Sequence, residues 1–114
     1  GSGLLMVSGL TLGGAGTIDG PRCAAPEPWV DAYNAYQSGD IEAAESAQAE
    51  ANIMYPPLLE AGYLPGIKAL VGARLGFDCG NPRPPISQVT PEIMVMAEKQ
   101  ASRIGPIRYV QDQP

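Results

Sequence analysis

Few side chains in this sequence could carry out covalent chemistry or bind a charged substrate. Lys68 could form an imine, but a lysine becomes a good nucleophile only when burial or a neighbouring cation activates it, and its sequence neighbours indicate neither. Cys23 lacks a base because the chain contains no histidine. Arg22 could bind a substrate carboxylate through its planar guanidinium, or it could lie in solvent or in an ion pair. We therefore predict no catalytic residue in this chain.

The sequence also gives no indication of a metal site or a cofactor site. Cys23 and Cys79 are the only cysteines, and no histidine is present to complete a zinc site. Two reduced thiols are expected rather than a disulfide, because a core-forming domain without a secretion signal usually stays in a reducing compartment. Glu42, Glu45 and Glu50 lie opposite the alanines of their helix, which is typical of a solvated face rather than of metal ligands. We predict no metal and no cofactor.

The composition excludes two classes of partner. The chain of 114 residues has a net charge of -5 and only 7 basic residues, so it offers no positive surface for nucleic acid or for an anionic membrane. Its apolar runs fall short of the roughly 18 residues that a membrane-spanning helix needs. We expect neither nucleic acid nor a membrane as a partner, and we expect a location in the cytoplasm or in an organelle matrix.

The elements that must position these side chains are one short strand and several helices. The strand is predicted at residues 15–18, between glycines and a Gly-Pro turn. Helices are predicted at residues 3–12, 27–38, 41–58, 65–76 and 91–105, with an irregular stretch at 77–88 and a loose tail from 106. A single strand cannot satisfy its own backbone groups, so its partners are expected outside this sequence.

Local signals define most of the helix ends. Asp40 and Thr90 are predicted N-caps, while Gly76 and Gly105 are predicted C-terminal stops. Pro56 and Pro57 are expected to end or bend the second long helix. The predicted apolar faces comprise Trp29, Val30, Tyr33 and Tyr36; Ala44, Ala47, Ala51, Met54 and Leu58; Ile67, Leu70, Val71 and Leu75; and Ile93, Met94, Ala97, Ala101 and Ile104.

Two stretches of the sequence resemble one enzyme family. They are GYLPGIKALVGARLGFDCGNPRPPISQ at residues 62–88 and GGAGTIDGPRCAAP at residues 13–26. Their order and spacing are similar to the C-terminal region of the dihydrodipicolinate synthase and N-acetylneuraminate lyase family of class I aldolases. The local sequence LPGIK is similar to a pattern of the 4-hydroxy-2-oxoglutarate aldolases within that family.

The resemblance implies an α/β fold. Its implied architecture is the C-terminal portion of a TIM (β/α)8 barrel, comprising the end of strand seven and all of strand eight, followed by a helical extension, so that the visible chain is mostly α. Residues 1–39 are assigned to the last β/α units, residues 40–105 to the extension and residues 106–114 to a tail. Because a barrel takes roughly 250 residues, the rest of it must come from another stretch of polypeptide.

The resemblance also implies which residues bind the substrate. The backbone carbonyl of Ile18 is expected to lie against a bound pyruvyl group, and Gly1 is expected to line the same pocket if Gly1, Ser2 and Gly3 belong to the native sequence. Arg22 is a weaker candidate for binding a substrate carboxylate. Cys23 stands where many relatives have asparagine, which argues against a strict dihydrodipicolinate synthase.

The implied function is that of a pyruvate-dependent Schiff-base aldolase or dehydratase, a lyase acting on a 2-oxo acid or a sugar-acid derivative. Its imine-forming lysine and its tyrosine are expected upstream, so this segment alone is predicted to be inactive. Lys68 is expected to be structural, and Arg83 is expected to anchor the extension to the barrel. The expected partners are the upstream half of the barrel, the 2-oxo acid and further copies of the chain in a tetramer or dimer. The alternative is a non-catalytic helical binding or assembly module derived from the family.

Overall fold

The computed structural model describes residues 2–109. Gly1 and the end of the predicted tail, residues 110–114, lie outside the described residues. Over the described range the chain forms helices joined by turns and loops. The helices are α1 (Met6–Thr11), α2 (Glu27–Gln37), α3 (Ile41–Asn52), α4 (Tyr55–Glu60), α5 (Leu64–Leu75) and α6 (Pro91–Ile104), with 3₁₀ turns at Gly3–Leu5 and Gly20–Cys23. The prediction of a mostly helical chain is confirmed.

Helices α2 and α3 pack against each other and are joined by a short turn. Gly39 in that turn has φ of +83°, a conformation that glycine adopts without strain. The side chain of Asp40 then accepts a hydrogen bond from the amide of Ala43 at 3.0 Å and caps α3. The predicted cap and the start of α3 are confirmed.

The end of α3 differs from the prediction. Helix α3 ends at Asn52, before the two prolines are reached. Pro56 and Pro57 instead occupy the first turn of α4, where a missing amide proton costs nothing because first-turn amides have no partner within a helix. The prolines therefore begin a new helix, α4, which precedes α5.

Helices α5 and α6 also pack against each other. Gly76 closes α5 in the left-handed conformation, with φ of +76°. The Thr90 hydroxyl accepts a hydrogen bond from the amide of Ile93 at 3.3 Å and caps α6. Leu75 and Met94, predicted on the apolar faces of these helices, are 53% and 42% exposed, so the described residues do not bury them in the core.

The core lies where α1, α2, α3, α4 and α5 meet. Trp29, Met6 and Leu58 are among its largest side chains, and each is at least 98% buried. Alanines on α2 and α3 allow the two helices to approach closely, as with Ala32 and Ala44, which are fully buried. None of the helices between residues 2 and 109 is long and apolar enough to cross a lipid bilayer.

The predicted strand at residues 15–18 is absent from the described structure. These residues follow an irregular path, and the neighbouring side chains of Leu12 and Ile18 are 89% and 91% exposed. The Ile18 side chain is therefore not part of the core formed by the described residues. A strand forms only when another strand pairs with its backbone, and residues 2–109 provide no such partner.

Candidate functional site

The candidate site is the loop between α1 and α2, which carries the predicted substrate-binding residues. The structure places Ile18 and Arg22 in this loop, and Gly1 lies outside the described residues. No residue from 2 to 109 donates a hydrogen bond to the carbonyl oxygen of Ile18. That oxygen is the group assigned to the pyruvyl contact, so its acceptor capacity is not used within the described chain.

The guanidinium of Arg22 folds back onto its own loop. Its Nη1 donates to the backbone carbonyl of Thr17 and its Nη2 to the Thr17 hydroxyl. The guanidinium carbon also lies 5.5 Å from the centroid of the Trp29 ring, within cation–π range. Burial lowers the pKa of Arg22, and the nearby Asp19 and Tyr55 only partly oppose that shift. In this arrangement Arg22 braces the loop, while the role in binding a carboxylate stays a prediction.

The sequence did not predict a second group of side chains, which centres on Asp19 in the loop. The Oδ2 atom of Asp19 accepts hydrogen bonds from the amide of Gly3, at 2.6 Å, and from the phenol of Tyr55. The Oδ1 atom accepts from the amide of Gly20 at 2.8 Å and from the phenol of Tyr63 at 3.0 Å. Asp19 thus ties the start of the chain, the loop, α4 and the beginning of α5 together.

The hydrogen bonds decide the charge state of this group. Burial alone would raise the pKa of Asp19, but the bonds from Tyr55, Gly3, Gly20 and Tyr63 outweigh it and bring the pKa below its ordinary value. Burial and the hydrogen bond to the Asp19 carboxylate raise the pKa of Tyr55 strongly, and they raise that of Tyr63 in the same direction. Asp19 is therefore an anion at neutral pH, and both phenols keep their protons.

Two glycines make this close approach possible. A Cβ atom on Gly3 would lie 2.7 Å from the Tyr55 phenol oxygen and 2.9 Å from Oδ2 of Asp19. A Cβ atom on Gly20 would lie 3.0 Å from the Tyr63 phenol oxygen. Glycine is needed at residue 3 because any side chain there would push the hydrogen-bonding groups apart.

An open pocket of about 190 Å³ lies beside the loop. Met6, Trp29 and Val30 supply apolar wall, and Thr17 and Arg22 supply polar groups. Pockets that enclose a small organic ligand usually measure about 300–1,000 Å³. A pocket of this size needs further walls before it can enclose a substrate.

Comparison with known proteins supplies the family. A DapA-like lyase of Halobacterium salinarum strain R1 is 33% identical over 105 residues, which is 92% of this chain and 34% of that protein, and a DapA-like lyase of strain NRC-1 gives the same values. A 4-hydroxy-tetrahydrodipicolinate synthase of Methanopyrus kandleri is 30% identical over 97 residues, which is 84% of this chain and 32% of that protein. Over this segment the similarity to these proteins supports the dihydrodipicolinate synthase family. No family model and no solved structure matches it.

The chain spans about one third of the length of these curated relatives. Two of them are named lyases and one a synthase, and these names support a lyase at the level of the family.

Other residues that the family resemblance singled out lie away from the loop. Lys68 is half-buried on α5, and the side chain of Arg83 is exposed in the stretch between α5 and α6. Cys23 and Cys79 are free thiols, and burial raises the pKa of Cys23, which disfavours the thiolate. Between residues 2 and 109, no three Cys, Asp or Glu side chains lie close enough together to hold a metal ion.

A buried ion pair holds the helix that follows the loop. Glu27, at the start of α2, binds Arg74 near the end of α5 through two hydrogen bonds of 2.8 Å each, and both side chains are almost fully buried. Arg74 also donates to the carbonyls of Ala24, at 2.8 Å, and Gly105, at 3.1 Å. The sequence offers one signal for this pair, which is the presence of Arg74 on the mostly apolar helix α5. That signal does not identify Glu27 as the partner.

Proposed function

We propose that the chain is the C-terminal part of a pyruvate-dependent class I lyase, an aldolase or dehydratase acting on a 2-oxo acid or a sugar-acid derivative. The observation that carries the proposal is the identity of 30–33% to DapA-like lyases and to a 4-hydroxy-tetrahydrodipicolinate synthase. It extends over 84–92% of the chain.

In the proposed reaction the amine of a lysine outside this chain attacks the 2-oxo carbon of pyruvate, and water leaves to give an imine. The imine then accepts electron density when the neighbouring carbon–carbon bond forms or breaks. This chain contributes the Ile18 carbonyl to the pyruvyl pocket, with Gly1 as a second wall and Arg22 as a weaker candidate for a substrate carboxylate. Helices α2 to α6 form the outer layer through which a dimer or tetramer assembles.

The exposed apolar groups of the loop support this proposal. Leu12 and Ile18 are the most exposed of the large apolar side chains in the described residues, at 89% and 91%. Large apolar side chains that lie close together in a loop are usually covered by other protein. A neighbouring strand would cover these side chains and would also pair with the backbone of the loop. The remaining part of a barrel is the partner that fits both requirements.

The alternative is a non-catalytic helical module, and a different observation favours it. The core formed by α1 to α6 is continuous and does not use residues 12–18. A module of this kind would need neither an imine-forming lysine nor a completed pocket.

Intact mass under denaturing conditions, followed by borohydride reduction with pyruvate on the same sample, separates the two functions. A polypeptide of about 30 kDa, the size of a complete barrel, or a second polypeptide that gains one reduced pyruvyl group, supports the lyase. A single species of 11.9 kDa without adduct supports the module. The Lys68→Arg variant is the control, because the adduct must persist when Lys68 is replaced; an adduct on Lys68 itself would contradict the proposed site.

A further inference from the structure

The carboxylate of Asp19 joins the backbone next to Ile18, which is assigned to the pyruvyl pocket, to the backbone at Gly3. Asp19 follows Ile18 directly, and its Oδ1 atom accepts a hydrogen bond from the next amide, that of Gly20, at 2.8 Å. Its Oδ2 atom accepts from the amide of Gly3 at 2.6 Å, two residues after Gly1. One side chain therefore sets the distance between the backbone at Gly3 and the backbone at residues 18–20.

The same carboxylate cannot also bind a substrate. Phenols of Tyr55 and Tyr63 donate to its Oδ2 and Oδ1 atoms, in addition to the two amides. A carboxylate offers about four acceptor positions, and all of them are used here. Asp19 can therefore act on a bound molecule only through the backbone that it holds.

The helical part of the chain contributes to this arrangement at a conformational cost. Tyr63 has φ of 64°, the only positive φ of a non-glycine residue in the described range. Such a conformation persists only when its surroundings hold it. The Tyr63 amide bonds the carbonyl of Leu58 at 2.7 Å while its phenol bonds Asp19, so the residue is held at both ends.

We propose that Asp19 is a positioning residue for the pyruvyl pocket, holding the Ile18 carbonyl at a fixed distance from the backbone that follows Gly1. This inference rests on the proposed function. The Ile18 carbonyl contacts the pyruvyl group in the bound substrate and in the transition state alike, so loosening it removes binding common to both. Such a loss raises KM more than it lowers kcat.

The test uses Asp19→Asn in the complete protein that contains this chain and its upstream part. Either orientation of the asparagine amide turns its NH₂ group toward one of the two backbone amides, so that amide loses its acceptor. We expect KM for pyruvate to rise about tenfold, the effect of losing one hydrogen bond. We expect kcat to change by less than about threefold.

Two matched variants isolate the positioning effect. Asp31→Asn alters a half-buried carboxylate that also accepts hydrogen bonds from an arginine and a tyrosine, Arg108 and Tyr109, and it should keep the wild-type KM. Tyr55→Phe removes a phenol but leaves the Asp19 carboxylate with both amides, so its KM should stay within about twofold of wild type. An equal increase in KM for Tyr55→Phe and Asp19→Asn would overturn the positioning role in favour of general loosening.

The outcomes separate this inference from the proposed function. If the wild-type protein traps pyruvate and Asp19→Asn has an unchanged KM, the positioning role is overturned and the proposed function stands. If the wild-type protein traps no pyruvate, both are overturned.

A second measurement does not depend on the folding of the variant. Hydrogen exchange at the amides of Gly3 and Gly20 in the wild-type protein should be slow before pyruvate is added and should change little afterwards, because Asp19 holds them in advance. Exchange of either amide at the rate of an unstructured peptide would overturn the inference.

Discussion

The helical residues 27–104 and the loop at residues 12–20 differ in how well this chain buries their large apolar side chains. Leu58 and Leu70 in the helices are fully buried, whereas Leu12 and Ile18 in the loop are 89% and 91% exposed. A helix closes its backbone hydrogen bonds within itself, but a strand depends on its neighbours. The helical layer is therefore packed by residues of this segment itself, whereas the loop leaves large apolar side chains that no described residue covers.

One polar group ties the loop to the helices, and a second holds the helix that follows the loop. Asp19 binds the loop to α4 and to the start of α5, and the Glu27–Arg74 pair binds α2 to the end of α5. Both lie at the boundary between the loop and the helices. Substitutions that remove these contacts one at a time test how far each contact stabilises the protein. Each variant is compared with a matched substitution elsewhere in the chain.

The largest effect is expected from Arg74→Met, which leaves Glu27 as a buried carboxylate without its ion-pair partner. Breaking a buried pair by removing one partner usually costs about 3–5 kcal/mol. We expect a loss of this size in the free energy of unfolding, measured by urea titration with circular dichroism.

The control for this variant is Arg103→Met. Arg103 pairs with Glu50 at 3.6 Å, and these side chains are 35% and 66% exposed, so water screens the interaction. Exposed pairs contribute about 0–1 kcal/mol. Equal losses for the two arginine variants would mean that the Glu27–Arg74 pair does not hold the helices together.

The next largest effect compares one leucine from each region. Leu70→Ala removes a fully buried side chain from α5 and should lower the free energy of unfolding by about 2–5 kcal/mol. Leu12→Ala removes a side chain that is 89% exposed and should change it by less than about 0.5 kcal/mol. Thermal unfolding of the isolated chain measures both changes.

The Leu12→Ala variant also sharpens the comparison when the upstream part of the protein is present. If a barrel covers the loop, the same substitution should then destabilise the assembled protein clearly. An effect as small as in the isolated chain would show that Leu12 stays in solvent and that the loop is not a contact surface.

A smaller effect is expected at the glycine that contacts Asp19. Gly3→Ala places a Cβ atom 2.7 Å from the Tyr55 phenol and 2.8 Å from the indole nitrogen of Trp29, so these groups must move apart. Overpacking of this kind typically costs about 1–3 kcal/mol. The free energy of unfolding from urea titration should fall by that amount.

Gly9→Ala is the matched control, because it lies in α1 and a Cβ atom there would meet nothing within 4 Å. Alanine in a helix reduces the entropy of the unfolded chain and should stabilise the protein by about 0.4–1 kcal/mol. A Gly3→Ala protein as stable as Gly9→Ala would contradict the close packing around Asp19.

The helix ends were predictable from the sequence because their signals are local. Asp40 caps α3 through an amide three residues away, and Thr90 caps α6 in the same way. The packing of Ala44, Ala51 and Leu58 follows from a periodicity that is visible within a few turns. The end of α3 was predicted too late in the sequence, because prolines such as Pro56 can either end one helix or begin the next.

The polar contacts at the site could not be predicted because their partners are distant in the sequence. Asp19 bonds Tyr55 and Tyr63, which are 36 and 44 positions away, and Glu27 bonds Arg74, 47 positions away. No sequence period connects such residues. The strand at residues 15–18 failed for the related reason that its pairing partners are not within the described residues.

The smallest change is expected in the pH dependence of stability. The pKa values of Asp19 and Glu27 in the folded chain lie below their ordinary values of 3.8 and 4.5, since hydrogen bonds outweigh burial. A lowered pKa gives stability that is fully present above the ordinary value and is lost as the pH falls through the folded one. Unfolding measured by circular dichroism should therefore become easier below about pH 4.5.

Substitution separates the two contributions to this acid limb. Asp19→Asn should remove the part that begins near its ordinary pKa, and Glu27→Gln the part that begins at the higher value, so each variant should lose stability less steeply with falling pH than the wild type. Tyr55 provides the opposite limb, because its pKa is raised above the ordinary 10.0 and its contribution is lost as the pH rises beyond that value. Asp19→Asn should weaken both limbs, since the carboxylate is part of both shifts; an alkaline limb unchanged by this variant would mean that burial alone sets the pKa of Tyr55.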